Sequence, residues 1–213
     1  MFINIYAACM ECEKIKYGDH FPDGVVPETK HRRVEIQDDL TLRFECEKNH
    51  KAIIQLEQEK FEVLFEFATM ALIDGYTKEA VSTYSSALER FIEFYILTIF
   101  MVKKKTKHDF DRLWKTMVKQ SERQLGTYLT LVTLEGHTNL WDSERSGFRN
   151  LVIHQGLIPT YNKAIDYGNY VLKFIRNGLE ELRKTDQYAL KTAVWVNRKS
   201  LLMSIYQEYK QAH

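Results

Sequence analysis

Residues 77–102 read TKEAVSTYSSALERFIEFYILTIFMV, and this stretch decides the fold class. Its apolar and small side chains recur at intervals of three and four, a spacing typical of a long helix buried along one face. The stripe consists of Val81, Tyr84, Ser85, Leu88, Phe91, Ile92, Tyr95 and Ile99. We expect Thr77 to cap this helix, since its hydroxyl can accept a bond from the first turn. The most apolar part, residues 91–102, contains Glu93 and is too short to span a bilayer.

Helical patterns continue on both sides of this segment. Before it, residues 57–75 place a row of apolar side chains on one face, and Gly75 ends the pattern. That row is Phe61, Leu64, Phe65, Ala68 and Leu72. After it, we expect shorter helices at 109–120, 124–136 and 143–156, a long helix beginning at Pro159 and Thr160, and a last helix at 187–211. The sequence therefore predicts a mainly α protein with a helical domain at 57–213.

Residues 1–56 follow a different pattern and hold all three cysteines of the chain. Apolar residues alternate here at period two, which indicates strands: Val34, Ile36, Leu40, Leu42 and Phe44. Asp38 and Asp39 form the expected turn within this run, and residues 51–58 predict a further strand. We interpret residues 1–56 as a small β-rich module that precedes the helical domain.

Two short pairs of metal-binding residue types occur in this module. Cys9 and Cys12 form C-x2-C, Cys46 and His50 form C-x3-H, and 33 residues separate the pairs. If a β-ribbon brings the pairs together, they predict a tetrahedral zinc site with four protein ligands, which is typical of a structural zinc in a zinc-ribbon-like module. His20 or His31 could replace His50. The alternative is three buried free thiols and a surface histidine.

Overall composition gives the chain no strong attraction to a charged partner. The 213 residues carry a net charge of +1, so nucleic acid or membrane binding would need a local patch. The N-terminal residues lack the basic start of a signal peptide, so we expect a cytoplasmic protein with reduced thiols and no membrane partner. Residues 103–108, KKKTKH, could hold an RNA backbone or form an ordinary charged helix end.

The segment SGFRNLVIHQGLIPTYNKA, residues 146–164, concentrates polar chemistry near a helix end. Asn150 and His154 are four residues apart and share a helix face, with Arg149 beside them. An imidazole suits proton transfer near neutral pH, and a guanidinium suits a phosphate. Such a set could cleave a phosphodiester without a metal if a two-fold dimer supplied a second copy. The spacing alone favours a histidine that caps a helix over a catalytic one.

This arrangement resembles the HEPN family (higher eukaryotes and prokaryotes nucleotide-binding), whose all-helical domains carry an R-x4-6-H motif. The motif here is RNLVIH, with Arg149, Asn150 and His154, and the helices at 77–102 and after residue 159 are similar to those flanking it in the family. The resemblance covers about residues 57–184. It implies a homodimeric, metal-independent endoribonuclease, in many members a toxin with an antitoxin partner or an antiviral defence protein. Members without activity act as binding modules for a protein, nucleotide or RNA, which is the alternative function.

Overall fold

The structure, a computed structural model, describes residues 2–18, 20 and 22–198. Contacts divide the chain into two compact units, and the boundary between them in the sequence lies between Glu57 and Gln58. The first unit contains β1 (Phe2–Ala7), α1 (Met10–Tyr17), β2 (Lys30–Glu35), β3 (Thr41–Glu45) and β4 (Lys51–Gln55). The second contains α2 (Lys60–Ile73), α3 (Thr77–Val102), α4 (Lys107–Trp114), α5 (Ser121–Leu134), α6 (Ser143–His154) and α7 (Tyr161–Thr185). The protein is therefore mainly helical with a small β-containing N-terminal unit, which confirms the predicted fold class at this level.

Two small antiparallel sheets form the N-terminal unit. Strand β1 pairs with β2, from Phe2 opposite Glu35 to Ala7 opposite Lys30, and β3 pairs with β4. The expected turn is present between β2 and β3, since the Leu40 N–H donates to the Gln37 carbonyl across the two aspartates. Leu40 lies in this turn at φ 59° rather than in a strand, because the reversal needs one residue in the left-handed region.

Helix α1 was not predicted, and it corrects the interpretation of the first cysteine pair. Cys9 precedes the first residue of α1 as its N-cap position, and Cys12 lies in the first turn of the helix. A β-ribbon therefore does not carry both pairs; a helix start carries one and the β3–β4 hairpin carries the other. The one buried residue of this helix is Glu13, a charged residue. Apolar residues therefore do not mark one face, and periodicity could not reveal the helix.

Helix α3 is the centre of the second unit, and α2, α5, α6 and α7 pack around it. All eight members of the stripe predicted from its sequence are buried. Aromatic rings fill the space between the helices. Phe91 of α3 meets Phe61 of α2 and Phe174 of α7 edge to face, with ring centroids 5.4 and 6.2 Å away. The core is thus built on the face of α3 that the 3.6-residue period marks.

Glycines let α7 approach α3 closely. A Cβ at Gly178 would lie 2.5 Å from Cζ of Phe91, and a Cβ at Gly168 would lie 2.8 Å from Cε2 of Tyr84. Both glycines lie inside α7, where alanine would favour the helix more. The absence of a side chain at these two positions therefore sets how near the two longest helices come.

Thr77 does not cap α3 as expected. Tyr76 occupies the N-cap position, and Thr77 is already helical. Its hydroxyl donates instead to the carbonyl of Pro159 at 2.8 Å, which ties the start of α3 to the segment between α6 and α7. The predicted start of α7 is correct, because the Thr160 side chain accepts a bond from the Lys163 N–H as its N-cap.

Residues 187–198 continue as a helix after α7, as predicted, and the rest of that expected helix lies outside the described residues. Within the part of the chain that the structure describes, no helix combines the length and the apolarity that crossing a bilayer requires.

Candidate functional site

Helix α6 positions the Arg-Asn-His segment. Its start is fixed by Asp142, whose carboxylate accepts bonds from the N–H groups of Glu144 and Arg145. Val152 is fully buried against α3 and anchors the apolar face, and Gly156, at φ 72°, ends the helix as predicted. Because Val152 points into the core, the polar residues around it are directed to the edge of the bundle.

Arg149 is held by two neighbours within the chain. Its Nη2 lies 2.5 Å from Oε1 of Glu89 on α3, and its Nη1 donates to Oδ1 of Asn150 at 3.0 Å. These bonds use two of the five N–H donors that a guanidinium carries. Glu89 of α3 therefore orients Arg149. Glu93, one turn further along α3, pairs with Arg90 instead.

Arg149, Asn150 and His154 all line one open cavity of about 500 Å³. Its wall comes from α3, α6 and α7, the first turn of α5 and the residue Trp141. His154 is exposed, and among the described residues its imidazole has no hydrogen-bond partner. The arrangement therefore offers a fixed guanidinium and a free imidazole to the same space, which is large enough for a nucleotide-sized group.

Two phenols close the inner side of this cavity. Tyr167 shares a hydrogen bond of 2.8 Å with Ser85 of α3, and the Tyr170 oxygen accepts from the Asp142 N–H at 3.3 Å. Burial raises the pKa of both, that of Tyr170 to about 12, so both stay protonated at neutral pH. The cavity floor is therefore neutral and partly aromatic, and its charges are those of Arg149, Glu89 and residues at its rim.

A second cluster of reactive side chains lies in the N-terminal unit. The four ligand atoms of Cys9, Cys12, Cys46 and His50 all lie within 4.8 Å of one another. Individual separations are 3.7 Å between the sulfurs of Cys12 and Cys46, and 3.3 and 3.8 Å from His50 Nδ1 to the sulfurs of Cys12 and Cys9. The structure thus brings together the four predicted ligands, and His20 and His31 are not part of the cluster.

These separations fit a tetrahedral metal ion. Zinc–sulfur bonds of about 2.3 Å and zinc–nitrogen bonds of about 2.0 Å put tetrahedral ligands about 3.8 Å apart for two sulfurs and about 3.5 Å for sulfur and nitrogen. A disulfide needs sulfurs about 2.0 Å apart, and all three cysteines are free. The cluster can therefore hold a metal ion such as zinc.

The local backbone prepares the sulfurs for such an ion. The turn between β3 and β4 directs the N–H of Lys48 to the Cys46 sulfur at 3.4 Å. Although burial opposes ionisation of Cys46, bonds from the Lys48 and His50 backbone lower the pKa of this thiol overall. Burial and the neighbouring Cys46 and Cys9 raise the pKa of Cys12 to about 11. Three crowded thiols cannot ionise together without a cation, and a divalent ion removes that obstacle.

Comparisons with protein-family models, with curated proteins and with solved structures give no significant match.

Sequence reasoning missed several parts of the cavity. The first turn of α5, with Ser121, and the phenols of Tyr167 and Tyr170 are distant in sequence from Arg149. No motif marks them, because they reach the cavity only through helix packing. His137, which has no partner nearby in sequence, receives one from α3: its Nδ1 lies 2.5 Å from the Tyr95 hydroxyl. That bond gives His137 a role within the bundle, away from the cavity.

Proposed function

We propose that the cavity beside α6 cleaves RNA in a metal-independent reaction of the HEPN type. The observation that carries the proposal is the convergence of Arg149, Asn150 and His154 on one cavity, with Arg149 fixed by Glu89. The remaining donors of the guanidinium suit the oxygens of a phosphodiester. The free imidazole of His154 suits proton transfer near neutral pH.

The chemistry needs two proton transfers. A base takes the proton of a ribose 2′-hydroxyl, the 2′-oxygen bonds to phosphorus, and the bond from phosphorus to the 5′-oxygen breaks. An acid gives its proton to that leaving oxygen, so the products are a 2′,3′-cyclic phosphate and a 5′-hydroxyl. Arg149 stabilises the charge that develops on phosphorus, and His154 transfers a proton.

A single chain supplies one His154 and an Arg149 whose charge Glu89 already balances. A homodimer that places two α6 helices side by side would supply a second imidazole and a second guanidinium. One His154 would then act as base and the other as acid. We therefore propose a composite site shared by two copies of the chain, in which Asn150 positions Arg149 or the RNA.

The test is cleavage of a mixed RNA pool by the purified chain in EDTA, with 5′-hydroxyl product ends as the readout. His154→Ala is the inactivating variant. His31→Ala is its matched control, because His31 is exposed and lies outside the cavity. We expect the parent and His31→Ala to cleave and His154→Ala to lose at least about 100-fold of the rate, the low end for losing a general acid or base.

Two results would oppose this function. Equal cleavage by His154→Ala would assign the activity elsewhere, and a monomer that cleaves at full rate would remove the composite site. Growth arrest on expression that His154→Ala abolishes would favour a toxin or defence role, which is otherwise an expectation from the resemblance.

For the N-terminal unit we propose a structural zinc held by Cys9, Cys12, Cys46 and His50. Four protein ligands leave no open position for a substrate, so such an ion would brace a unit too small for a large core. The catalytic step proposed above uses no metal.

The alternative function is a binding module that holds a nucleotide or RNA without cutting it. It is favoured by the ion pair itself, because Glu89 neutralises Arg149 and the aromatic wall with Trp141 suits a base. Binding of RNA that persists in the parent without any cleavage, at dimer-forming concentrations, would support this alternative.

A further inference from the structure

The described part of the chain contains one short region of strong positive charge, residues 103–123. It holds eight lysines and arginines against three carboxylates, a net charge of +5. Since the whole chain carries +1, the other residues together carry −4. The region runs from the end of α3 through α4 to the first turn of α5. Such a concentration of charge is a local electrostatic feature that overall composition hides.

Packing of α4 turns these bases toward solvent. Phe110 and Trp114 stack with ring centroids 5.4 Å apart and are buried with Met117, so they occupy the inner face. Arg112 lies in α4 and Lys115 is the C-cap residue of the helix. They are three residues apart and therefore lie on the same, outer face. We call six exposed bases of this region the basic surface: Lys104, Lys105, Arg112, Lys115, Lys119 and Arg123.

Most of this charge is not neutralised within the described residues. Two other lysines of the region have acidic partners: Lys103 pairs with Glu135, and Lys107 pairs with Asp111. In the described ranges no ion pair engages Lys104, Lys105, Lys115 or Lys119. The basic surface therefore keeps charge for an external partner.

The basic surface is joined firmly to the rim of the Arg149 cavity. Gln124 is buried, and its amide donates to the carbonyls of Met117 and Val118 at 3.0 and 3.1 Å. This fixes the turn that carries Lys115 and Lys119 to the first turn of α5. Ser121 and Glu122 in that first turn line the cavity. A chain leaving the cavity past Ser121 would therefore meet the bases directly.

We infer that the basic surface binds the phosphate backbone of a single-stranded RNA whose neighbouring nucleotide occupies the Arg149 cavity. This deepens the function proposed above and rests on it for the identity of the site. An extended strand presents one phosphate per nucleotide, and a row of solvent-facing lysines and arginines neutralises such a series. Trp141 in the cavity wall supplies an aromatic surface for a base, which a purely acidic protein partner would not use.

The test measures binding rather than cleavage. Full-length protein carrying His154→Ala is titrated into a fluorescein-labelled oligouridine of about 20 nucleotides, and anisotropy is followed at several salt concentrations. In this background Lys115→Gln/Lys119→Gln removes two bases of the basic surface. Lys173→Gln/Lys191→Gln is the matched control, since it removes two exposed lysines that do not line the cavity.

We expect Lys115→Gln/Lys119→Gln to weaken RNA binding at low salt by at least about tenfold. Two lost phosphate contacts should also reduce the slope of log K against log salt by about 1.4. The Lys173/Lys191 control should change neither quantity appreciably. Unchanged affinity and slope in Lys115→Gln/Lys119→Gln would overturn the inference. So would binding of polyglutamate as tight as that of oligouridine, because the surface would then fit an acidic protein.

The two proposals fail in different ways. If the parent cleaves RNA in EDTA and Lys115→Gln/Lys119→Gln cleaves and binds equally well, the basic surface is wrong and the catalytic assignment stands. If RNA binds in the expected way but the parent never produces 5′-hydroxyl ends, the catalytic assignment is wrong and the basic surface stands.

Discussion

Arg149 of α6 and Glu89 of α3 form an ion pair in which Nη2 and Oε1 are 2.5 Å apart. Their side chains are 23% and 33% exposed, so the pair lies at the boundary between the bundle and the open cavity. Its role is positional, because it fixes a guanidinium that would otherwise sample many rotamers. A guanidinium held in one orientation can direct its remaining N–H donors at a phosphate in the cavity.

Glu89→Ala should lower RNA cleavage by about tenfold or more while changing the free energy of unfolding by only about 1 kcal/mol. Glu93→Ala is the matched control, because Glu93 makes a similar ion pair with Arg90 and does not line the cavity. Cleavage rates and urea unfolding of both variants check this. A loss of activity in Glu93→Ala as large as in Glu89→Ala would show that the effect is not specific to Arg149.

Purified protein should contain about one zinc per chain. His50→Ala should lower the affinity of the cluster for zinc by at least about tenfold, because only three ligands remain. Zinc content by metal analysis and release to a chromogenic chelator measure this. His31→Ala removes a histidine of the same unit outside the cluster and should keep its zinc. A parent protein with much less than one zinc per chain would contradict the assignment.

Gly178→Ala should destabilise the helical unit by about 1–3 kcal/mol, because the added Cβ would lie 2.5 Å from the Phe91 ring and the core must shift. Gly126→Ala in α5 is the opposite case, since nothing lies within 4 Å of its Cβ position. It should raise stability by up to about 1 kcal/mol through helix propensity. Thermal unfolding of both variants would test the pair, and equal effects would contradict the close approach of α7 to α3.

Stability should fall as pH rises above about 10. Burial raises the pKa of Tyr95 and Tyr128, and it raises that of Tyr170 to about 12. In the unfolded chain the phenols have a pKa of about 10. The stability that the folded state gains by keeping them protonated is therefore complete below that pH. It is lost as pH rises through the pKa of the folded state.

Urea unfolding at about pH 8 and about pH 11 checks this, with Tyr128→Phe as the variant. Removing one titrating phenol should flatten the decline at high pH by up to about 1.4 kcal/mol per pH unit. A decline that Tyr128→Phe leaves unchanged would mean that other groups cause it.

Much of the helical unit could be predicted, because the periodicity and the cap residues that mark its helices involve residues close in sequence. The period of α3 identifies a buried face, and every residue of that predicted stripe is buried. The start of α7 at Thr160 and the end of α6 at Gly156 follow from cap chemistry, which depends on a few neighbouring residues. Thr77 shows the limit of such reasoning, because a partner 82 positions away, Pro159, takes its hydroxyl.

The candidate metal site was likewise predictable from local spacing but not in its tertiary details. Chelate spacing alone selected Cys9, Cys12, Cys46 and His50, since two ligands within a few residues can reach one ion whatever the intervening fold. That α1 carries the first pair could not be read from its sequence, because a short helix with little buried surface has almost no periodic signal.

The sequence by itself determined the mainly helical class, the four candidate metal ligands and the presence of Arg149, Asn150 and His154 on one helix. Spacing along a helix or within a short loop is enough for each of these. Only the tertiary structure decided that Glu89 holds Arg149 and that α5 and α7 complete the cavity. It likewise decided that the basic surface adjoins the cavity rim. Such relationships depend on how helices pack, and packing joins residues whose separation in sequence carries no pattern.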